Sequence, residues 1–454
     1  MRGSVRIFCL LLTASCFRIE GPRLYAQAPS PGSAKLQFVA VLSRHGVRTP
    51  LWTADQLNVY STEPWPQWDV PLGYLTKHGE TLMRLMGAYD REYLTKAGLL
   101  GSDGCADAGR FYFWSDTAQR DIETGRAIAS GMLPGCAVTI HSVAKGASDP
   151  LFSPFAAGVG KPDPELGAAA ISGRIGGHPQ ALVATYRAGL EALQQVLLGC
   201  EPAKPCPPEG KSVKKPLLEQ PSSVLPQARG LAQLNGPLAA ASTIAESLLL
   251  EYTDGKKDQE VGWGRLNRTN LQNILLLQDA YVDLALRTPY IARSYGSNLM
   301  SHMLKSMQQA VHGNAVAGAL GKPGDKGLIV LGHDSNISDL GGMLRISWLL
   351  EGYQPNSRPP GGALVFEVWG DAAGKRTVRT YIMSQTLDQM RNAVPLSLAT
   401  PPVKAAIFVP GCSTAGEGWP CDWDAFERVV SSAIDPAFVS PAAPVAGTAT
   451  PVQK

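Results

Sequence analysis

The sequence is short of charge and of long apolar runs. Only 17% of its 454 residues are charged, below the quarter that is usual in globular chains. The formal excess is +3, and the first 28 residues account for it: Arg2, Arg6, Arg18 and Arg23 stand there against Glu20 alone. Without them the chain is close to neutral. Such a chain lacks the basic excess of a general nucleic-acid or membrane-surface binder, so neither partner is expected. The seven histidines are scattered, and the cysteines include no CxxC pair and have no histidine beside them. A structural zinc is therefore not expected. No segment beyond the N-terminus is apolar for long enough to form a membrane span, and there are no internal repeats.

The N-terminus itself reads as an export signal. Arg2 and Arg6 precede an apolar run from Ile7 to Phe17, and Ala26-Gln27-Ala28 offers a small-x-small cleavage point. A lipoprotein reading of Leu12–Cys16 fails at Thr13, where an aliphatic residue is expected. Residues 1–28 are thus a leader, and the mature protein is expected outside the cytoplasm, periplasmic or secreted, with no stable membrane association after processing. Six cysteines remain: Cys105, Cys136, Cys200, Cys206, Cys412 and Cys421. In an exported chain an even number suggests disulfides, and six allow fifteen pairings. Cys200/Cys206 and Cys412/Cys421 lie close together in Pro/Gly-rich loops, which favours local closure and leaves Cys105/Cys136.

Along the chain, Lys35–Ser43 reads as a buried strand that ends at Arg44-His45-Gly46. Thr76 is a plausible N-cap for a helix with Leu82, Leu85, Met86, Tyr89 and Tyr93 on one face. A strand at Arg110–Trp114 is followed by Asp116, read as the cap of a helix running to Met132. Ala137–Val143 reads as a further strand. From 161 to 279 the pattern is helical, with Leu182, Tyr186, Leu193 and Leu197 at helical spacing and a Pro/Lys-rich loop from Cys200 to Gln227. Strand signals return at Gly327–Gly332, which ends at His333-Asp334. Ala363–Trp369 and Thr377–Met383 then read as a hairpin. The expected architecture is α/β. A central, mainly parallel sheet flanked by helices (34–160 and 280–440) carries an inserted smaller α-helical domain (161–279), and a Pro/Ala/Thr-rich tail (441–454) is expected to be disordered.

Three polar clusters each follow a strand: Arg44-His45-x-x-Arg48, Asp116 to Arg120, and His333-Asp334. Ligands of open α/β sheets bind beyond the carboxyl ends of strands, so the three can share one crevice. Arg44, Arg48 and Arg120 offer planar forks that match phosphate oxygens. A neutral His45 imidazole can attack phosphorus and form a phosphohistidine, and nearby arginines depress its pKa. His333 is a second donor to phosphate. Asp334 is the candidate general acid, protonating the leaving alcohol and then activating water; its neutral form points to an acidic optimum. Gly46 is read as a tight turn that lets phosphate approach the backbone.

At these residues the chain resembles the histidine acid phosphatases, and especially their periplasmic phytases and glucose-1-phosphatases. Arg44–Pro50 matches the family's first signature and Gly332-His333-Asp334-Ser335-Asn336 its second. The likeness extends through Gly262-Trp263-Gly264-Arg265, Arg287-Thr288-Pro289, Pro359-Pro360-Gly361-Gly362 and Gln385-Thr386-Leu387. The three inferred cysteine pairs also fall where such phytases have disulfides, while a fourth pair found in some of them is missing. The resemblance implies His45 as nucleophile, Arg44, Arg48, Arg120 and His333 as phosphate ligands, Asp334 as proton donor, an α/β domain with an α cap, and no cofactor or metal. The implied partner is a small-molecule phosphate monoester.

Departures bear on the substrate. Similar phytases follow the signature with Thr-Lys, where this chain has Leu51-Trp52; Trp52 either stacks on a sugar or inositol face or packs. Glu246 and Arg287 fall where phytases place pocket residues, Gln278 stands where a histidine occurs in them, and Ser335 replaces their threonine. Two other classes compete: a phosphoglycerate-mutase-like phosphotransfer enzyme, and a non-catalytic phosphosugar-binding protein. The leader, the cysteines and Asp334 oppose the first, and the intact nucleophile–acid pair opposes the second.

Overall fold

The computed structural model describes residues 34–101, 103–201, 204–227, 231–447 and 450–451; the expected leader lies outside them. The chain forms β1 (Lys35–Arg44), β2 (Phe111–Ser115), β3 (Thr139–His141), β4 (Ser223–Pro226), β5 (Ala232–Asn235), β6 (Gly327–Gly332), β7 (Ala363–Gly370), β8 (Arg376–Ser384), β9 (Val403–Ile407), β10 (Cys421–Asp422) and β11 (Thr450–Pro451). The main sheet is ordered β10-β8-β7-β1-β6-β2-β3-β11, with β9 also on β8. Its centre, β1, β6, β2 and β3, is parallel. β7, β8, β9, β10 and β11 pair antiparallel, so the sheet is mixed where a mainly parallel one was expected.

Parallel strands are covered on both faces and therefore read as continuous apolar runs. All six residues of β6 are buried. On one face Val39, Phe113, Ile329 and Leu331 meet Met83 and Met86 of the helix Lys77–Lys96 and Ile128 and Met132 of the helix Gln119–Met132. On the other, Ala40, Leu42, Leu328 and Val330 meet Met300 and Met303 of the helix Pro289–His312 and Ile337 and Leu340 of the helix Asp334–Met343. Thr76 caps the first of these helices, its hydroxyl accepting from the Gly79 amide. No helix among the described residues is long and apolar enough to cross a membrane.

Several expectations need correction. The helix after β2 starts at Gln119, and its N-cap, Ala118, makes no side-chain bond; Asp116 is not the cap. The face from Leu182 to Leu197 belongs to two helices, Ala181–Thr185 and Arg187–Leu198, which meet at Tyr186. The segment 161–279 contains the β4–β5 hairpin besides its helices. The cut expected at 279 falls inside the helix Arg268–Ala285. The tail expected to be disordered is partly laid against the sheet. Gly447 donates to the Ser142 carbonyl (2.8 Å), just past β3, and β11 pairs with β3. The tail thereby occupies hydrogen-bonding groups that an edge strand leaves open, which composition alone does not register. The three disulfides join Cys105–Cys136, Cys200–Cys206 and Cys412–Cys421.

The two helices on the first face cross through glycines. A Cβ on Gly131 would lie 2.0 Å from the Arg84 carbonyl oxygen, and one on Gly87 would lie 2.1 Å from that of Ile128. Backbone cannot yield as a flexible side chain can, so a methyl group forces the helices apart. Gly131→Ala is expected to cost roughly 1–3 kcal/mol, the usual range for overpacking, and to lower the thermal midpoint. An unchanged midpoint would show that the crossing is looser than this geometry.

Candidate active site

β6 lies between β1 and β2, with Arg44 opposite Gly332 and Ser115 opposite Leu331. The three polar clusters therefore leave adjacent carboxyl ends of one sheet. The His45 backbone is clamped between the other parts: its amide donates to the Gly332 carbonyl (2.9 Å) and its carbonyl accepts from Gly361 (2.8 Å). The Gly46 amide donates to Thr124 Oγ1 (2.9 Å). A Cβ on Gly46 would sit 2.7 Å from Met83 Cγ, so close packing under the motif, rather than phosphate approach to the backbone, excludes a side chain there. Arg48 bridges to Leu75, and Thr76 donates to the Val47 carbonyl (3.0 Å).

His45 is buried. Its Nδ1 lies 2.9 Å from the Gly46 carbonyl. A carbonyl can only accept, so Nδ1 carries the proton and a neutral ring keeps the lone pair on Nε2. Burial, then the charges of Arg48, Arg44, Arg120 and His333, hold its pKa well below the ordinary imidazole value. Neutral His45 therefore persists into acid.

The cations around it are compensated by carboxylates from other elements. Glu246, on the helix Pro237–Thr253, accepts with Oε1 from both Arg44 and Arg48, the latter at 2.9 Å. Arg44 also donates to the Arg358 carbonyl (2.5 Å), and Arg358 pairs with Asp279 (3.2 Å). Burial lifts Asp279 to about 6 against the pull of Arg358. Arg120 donates weakly to the Gly73 carbonyl (3.4 Å) and has Nη2 3.4 Å from His333 Nδ1. The Nε groups of Arg44, Arg48, Arg120 and Arg358 are buried without a hydrogen-bond partner, leaving donor capacity in a site of positive potential.

His333 stands with its ring centre 5.8 Å from that of His45. Its Nε2 is 2.7 Å from Asp116 Oδ2, and its Nδ1 is 3.6 Å from Asp121 Oδ1. Nε2 is thus engaged by Asp116, while Nδ1 lies between Arg120 Nη2 (3.4 Å) and Asp121 Oδ1 (3.6 Å). Asp334 opens the helix Asp334–Met343. Burial alone would raise its pKa, but Arg44, Arg358, Arg48 and His333 outweigh that and hold it at about 2. The acid expected to be neutral is thus ionised before an anion arrives.

Among the expected site residues, His45, Arg44, Arg48, Arg120, His333, Asp334 and Glu246 come together. Trp52 stacks on Tyr60 (5.9 Å) and lines a cleft of about 230 Å³ with Trp65, Trp68 and Leu72, just past the signature. Arg287 is not brought to the cluster. It donates to the Ile346 carbonyl (2.6 Å), pairs with Asp283 (3.3 Å) and faces Trp348, beside Gly341 near the far end of the helix that Asp334 opens. Sequence reasoning missed Asp121, Asp279 and Arg358 and gave Asp116 the wrong task. The run Asp116-x-x-x-Arg120-Asp121 at a strand end was the available signal. Asp116, Asp121 and His333 bring donor atoms within 4.8 Å of one another, a spacing that can hold a cation. Arg120 beside them supplies positive charge, which opposes a metal.

A family model described as the histidine phosphatase superfamily (branch 2) matches residues 35–165 and 245–383. The phytase AppA of Escherichia coli (strain K12) is 34% identical over 422 residues, covering 91% of this chain and 95% of that protein. A glucose-1-phosphatase of Providencia rettgeri is 28% identical over 435 residues, covering 95% and 99%. Among solved structures, a Hafnia alvei phytase in complex with tartrate superposes with a TM-score of 0.81 at 35% identity, covering 91% of this chain and all of that one.

The ionised Asp334 and the depressed His45 together make a pH prediction. A phosphate monoester loses its second proton at roughly pH 6. With Asp334 already ionised, the proton for the leaving group has to arrive with the monoanion. For an aryl phosphate, log kcat/KM is expected to be level through mild acid and to fall with unit slope above roughly pH 6. An acid limb in the ordinary imidazole range, near pH 6.5, would contradict the environment described for His45.

Proposed function

Because the chain belongs to the histidine phosphatase superfamily, branch 2, and is a phosphate-monoester hydrolase of the acid phosphatase type, we propose that His45 is its covalent nucleophile and that its substrates are sugar or inositol phosphates. One observation carries the assignment. The lone pair of His45 Nε2 is left free by the Nδ1 contact to the Gly46 carbonyl and stands among Arg44, Arg48 and Arg120.

In this reading Nε2 attacks phosphorus, forming the N–P bond as the ester P–O bond breaks. The arginines stabilise the charge on the equatorial oxygens. Asp334 receives the proton brought by the phosphate monoanion and passes it to the leaving oxygen. It then takes a proton from the water that cleaves the N–P bond. The bound anion itself helps, since its negative charge offsets the arginines that keep Asp334 ionised.

The rim beside the signature favours a neutral ring in the leaving group. Leu51 is 56% and Leu72 47% exposed, and Trp52 and Trp68 line the neighbouring cleft. An apolar rim and aromatic faces suit the C–H face of a sugar or cyclitol. The relatives named as phytase and as glucose-1-phosphatase bracket the same chemistry. The N-terminal leader pattern and the three disulfides support a periplasmic or secreted site of action.

Phosphate release from an aryl phosphate near pH 5 in the presence of chelator is the direct test. His45→Ala is expected to abolish it. Asp334→Asn is expected to slow esters with poor leaving groups more than good ones, and equal losses would remove Asp334 from the acid's role. Relative rates on phytate, glucose 1-phosphate and the aryl phosphate rank the substrates. Trp52→Ala is expected to raise KM for the ring substrates by about threefold to tenfold, equivalent to an aromatic contact of about 0.5–1.5 kcal/mol, while sparing the aryl ester's kcat. No selective change would make Trp52 a packing residue only.

A further inference from the structure

Asp121 is a charged residue buried with nothing in the catalytic scheme to explain it. It directly follows Arg120 in the helix Gln119–Met132, is 0% exposed, and neither carboxylate oxygen has a hydrogen-bond partner. A carboxylate in that condition is expensive unless a nearby cation requires it. Two are near: His333 Nδ1 lies 3.6 Å from Oδ1, and Arg120 Nε lies 3.6 Å from Oδ2. On the other side of the imidazole, Asp116 Oδ2 is 2.7 Å from Nε2. The ring therefore has Asp116 at one nitrogen and Asp121 beside the other, which Arg120 Nη2 also approaches, at 3.4 Å.

We propose that Asp121 is a positioning residue that, with Asp116, favours the protonated form of His333 and so adds an imidazolium to the phosphate cradle. The inference rests on the phosphatase reading above and extends it to a residue that touches neither substrate nor nucleophile.

The charges facing His333 come from every side. Asp116 follows β2; Arg120 and Asp121 come from the helix after it; Arg44, His45 and Arg48 lie at the end of β1, and Asp334 is the next residue along. Left to burial and to Arg120, His333 would lose its proton below the usual imidazole range. Asp121 and Asp116 reverse this and raise it. Burial also lifts Asp121, to about 7. Once ionised, the Asp121 carboxylate favours the proton on His333. The stabilising charge is present below the raised pKa of His333 and is lost only as the pH passes above it.

Two imidazoles whose ring centres are 5.8 Å apart are thus held in opposite states. His45 is neutral because cations and burial surround it. His333 is charged because carboxylates flank both its nitrogens. The nucleophile stays free to attack, and the neighbouring ring supplies charge without competing for phosphorus.

Sulfate tests this without turnover, since it stays a dianion throughout the range in which histidine titrates. Its affinity is measured by calorimetry from pH 4.5 to 8.5 on the full chain and on Asp121→Asn, with Asp116→Asn as a second variant should the first fold poorly. Wild type is expected to hold sulfate past neutral pH. In each variant the pH at which affinity falls is expected to drop by about one unit or more, as for loss of an opposite charge at this range. Affinity below pH 5 should change less than threefold. Unshifted profiles in folded variants would overturn the proposal, as would an equal loss of affinity at every pH, which marks a structural role. Wild type that binds sulfate but releases no phosphate from an aryl ester would instead count against the phosphatase reading and leave this one standing.

Discussion

Several arginines and two histidines crowd one end of the parallel centre of the sheet, and the rest of the structure is arranged around this charge. Two unit charges about 4 Å apart repel by about 4 kcal/mol at the effective dielectric of a protein. That is a sizeable share of the 5–15 kcal/mol by which domains are stable. The cluster persists because carboxylates reach it from separate parts of the chain: Glu246 onto Arg44 and Arg48, Asp279 onto Arg358, and Asp116 and Asp121 onto His333. None of them occupies the lone pair of His45, so compensation does not block the reaction.

The same arrangement assigns the acid and base roles. Histidine has no fixed charge near neutral pH, and surroundings decide which form it takes. Here one is depressed by arginines and the other raised by aspartates. Asp334 and Asp121 divide likewise. The first is held at about 2 by arginines, while the second is lifted to about 7 by burial. Position relative to the guanidiniums, more than residue type, decides what each group can do.

What the sequence disclosed follows the range of the interactions. Strands β1 and β6 were legible because a strand buried on both faces needs an unbroken apolar run, and the proposed catalytic residues follow those runs immediately. The hairpin of β7 and β8 and the Thr76 cap were legible because they are local. Asp116 was misread because a carboxylate near a helix start looks like a cap, and its true partner is His333, 217 residues away. Asp279 and Arg358 were silent for the same reason, since their meaning lies in a long-range pair. Arg287 was placed by likeness alone, and the side chain turns instead to Asp283, Ile346 and Trp348. The C-terminal tail was judged by composition, which is blind to an available strand edge.

Glu246 does not belong to the sheet. It arrives on the helix Pro237–Thr253, whose other residues pack in the helical layer. Until that helix docks, Arg44 and Arg48 share one strand end with no counter-charge from it. The docking of that helix is therefore also what supplies Arg44 and Arg48 with their shared carboxylate. The helical layer thus carries the counter-charge for the strand end it covers, and the two layers are joined there by charge as well as by packing.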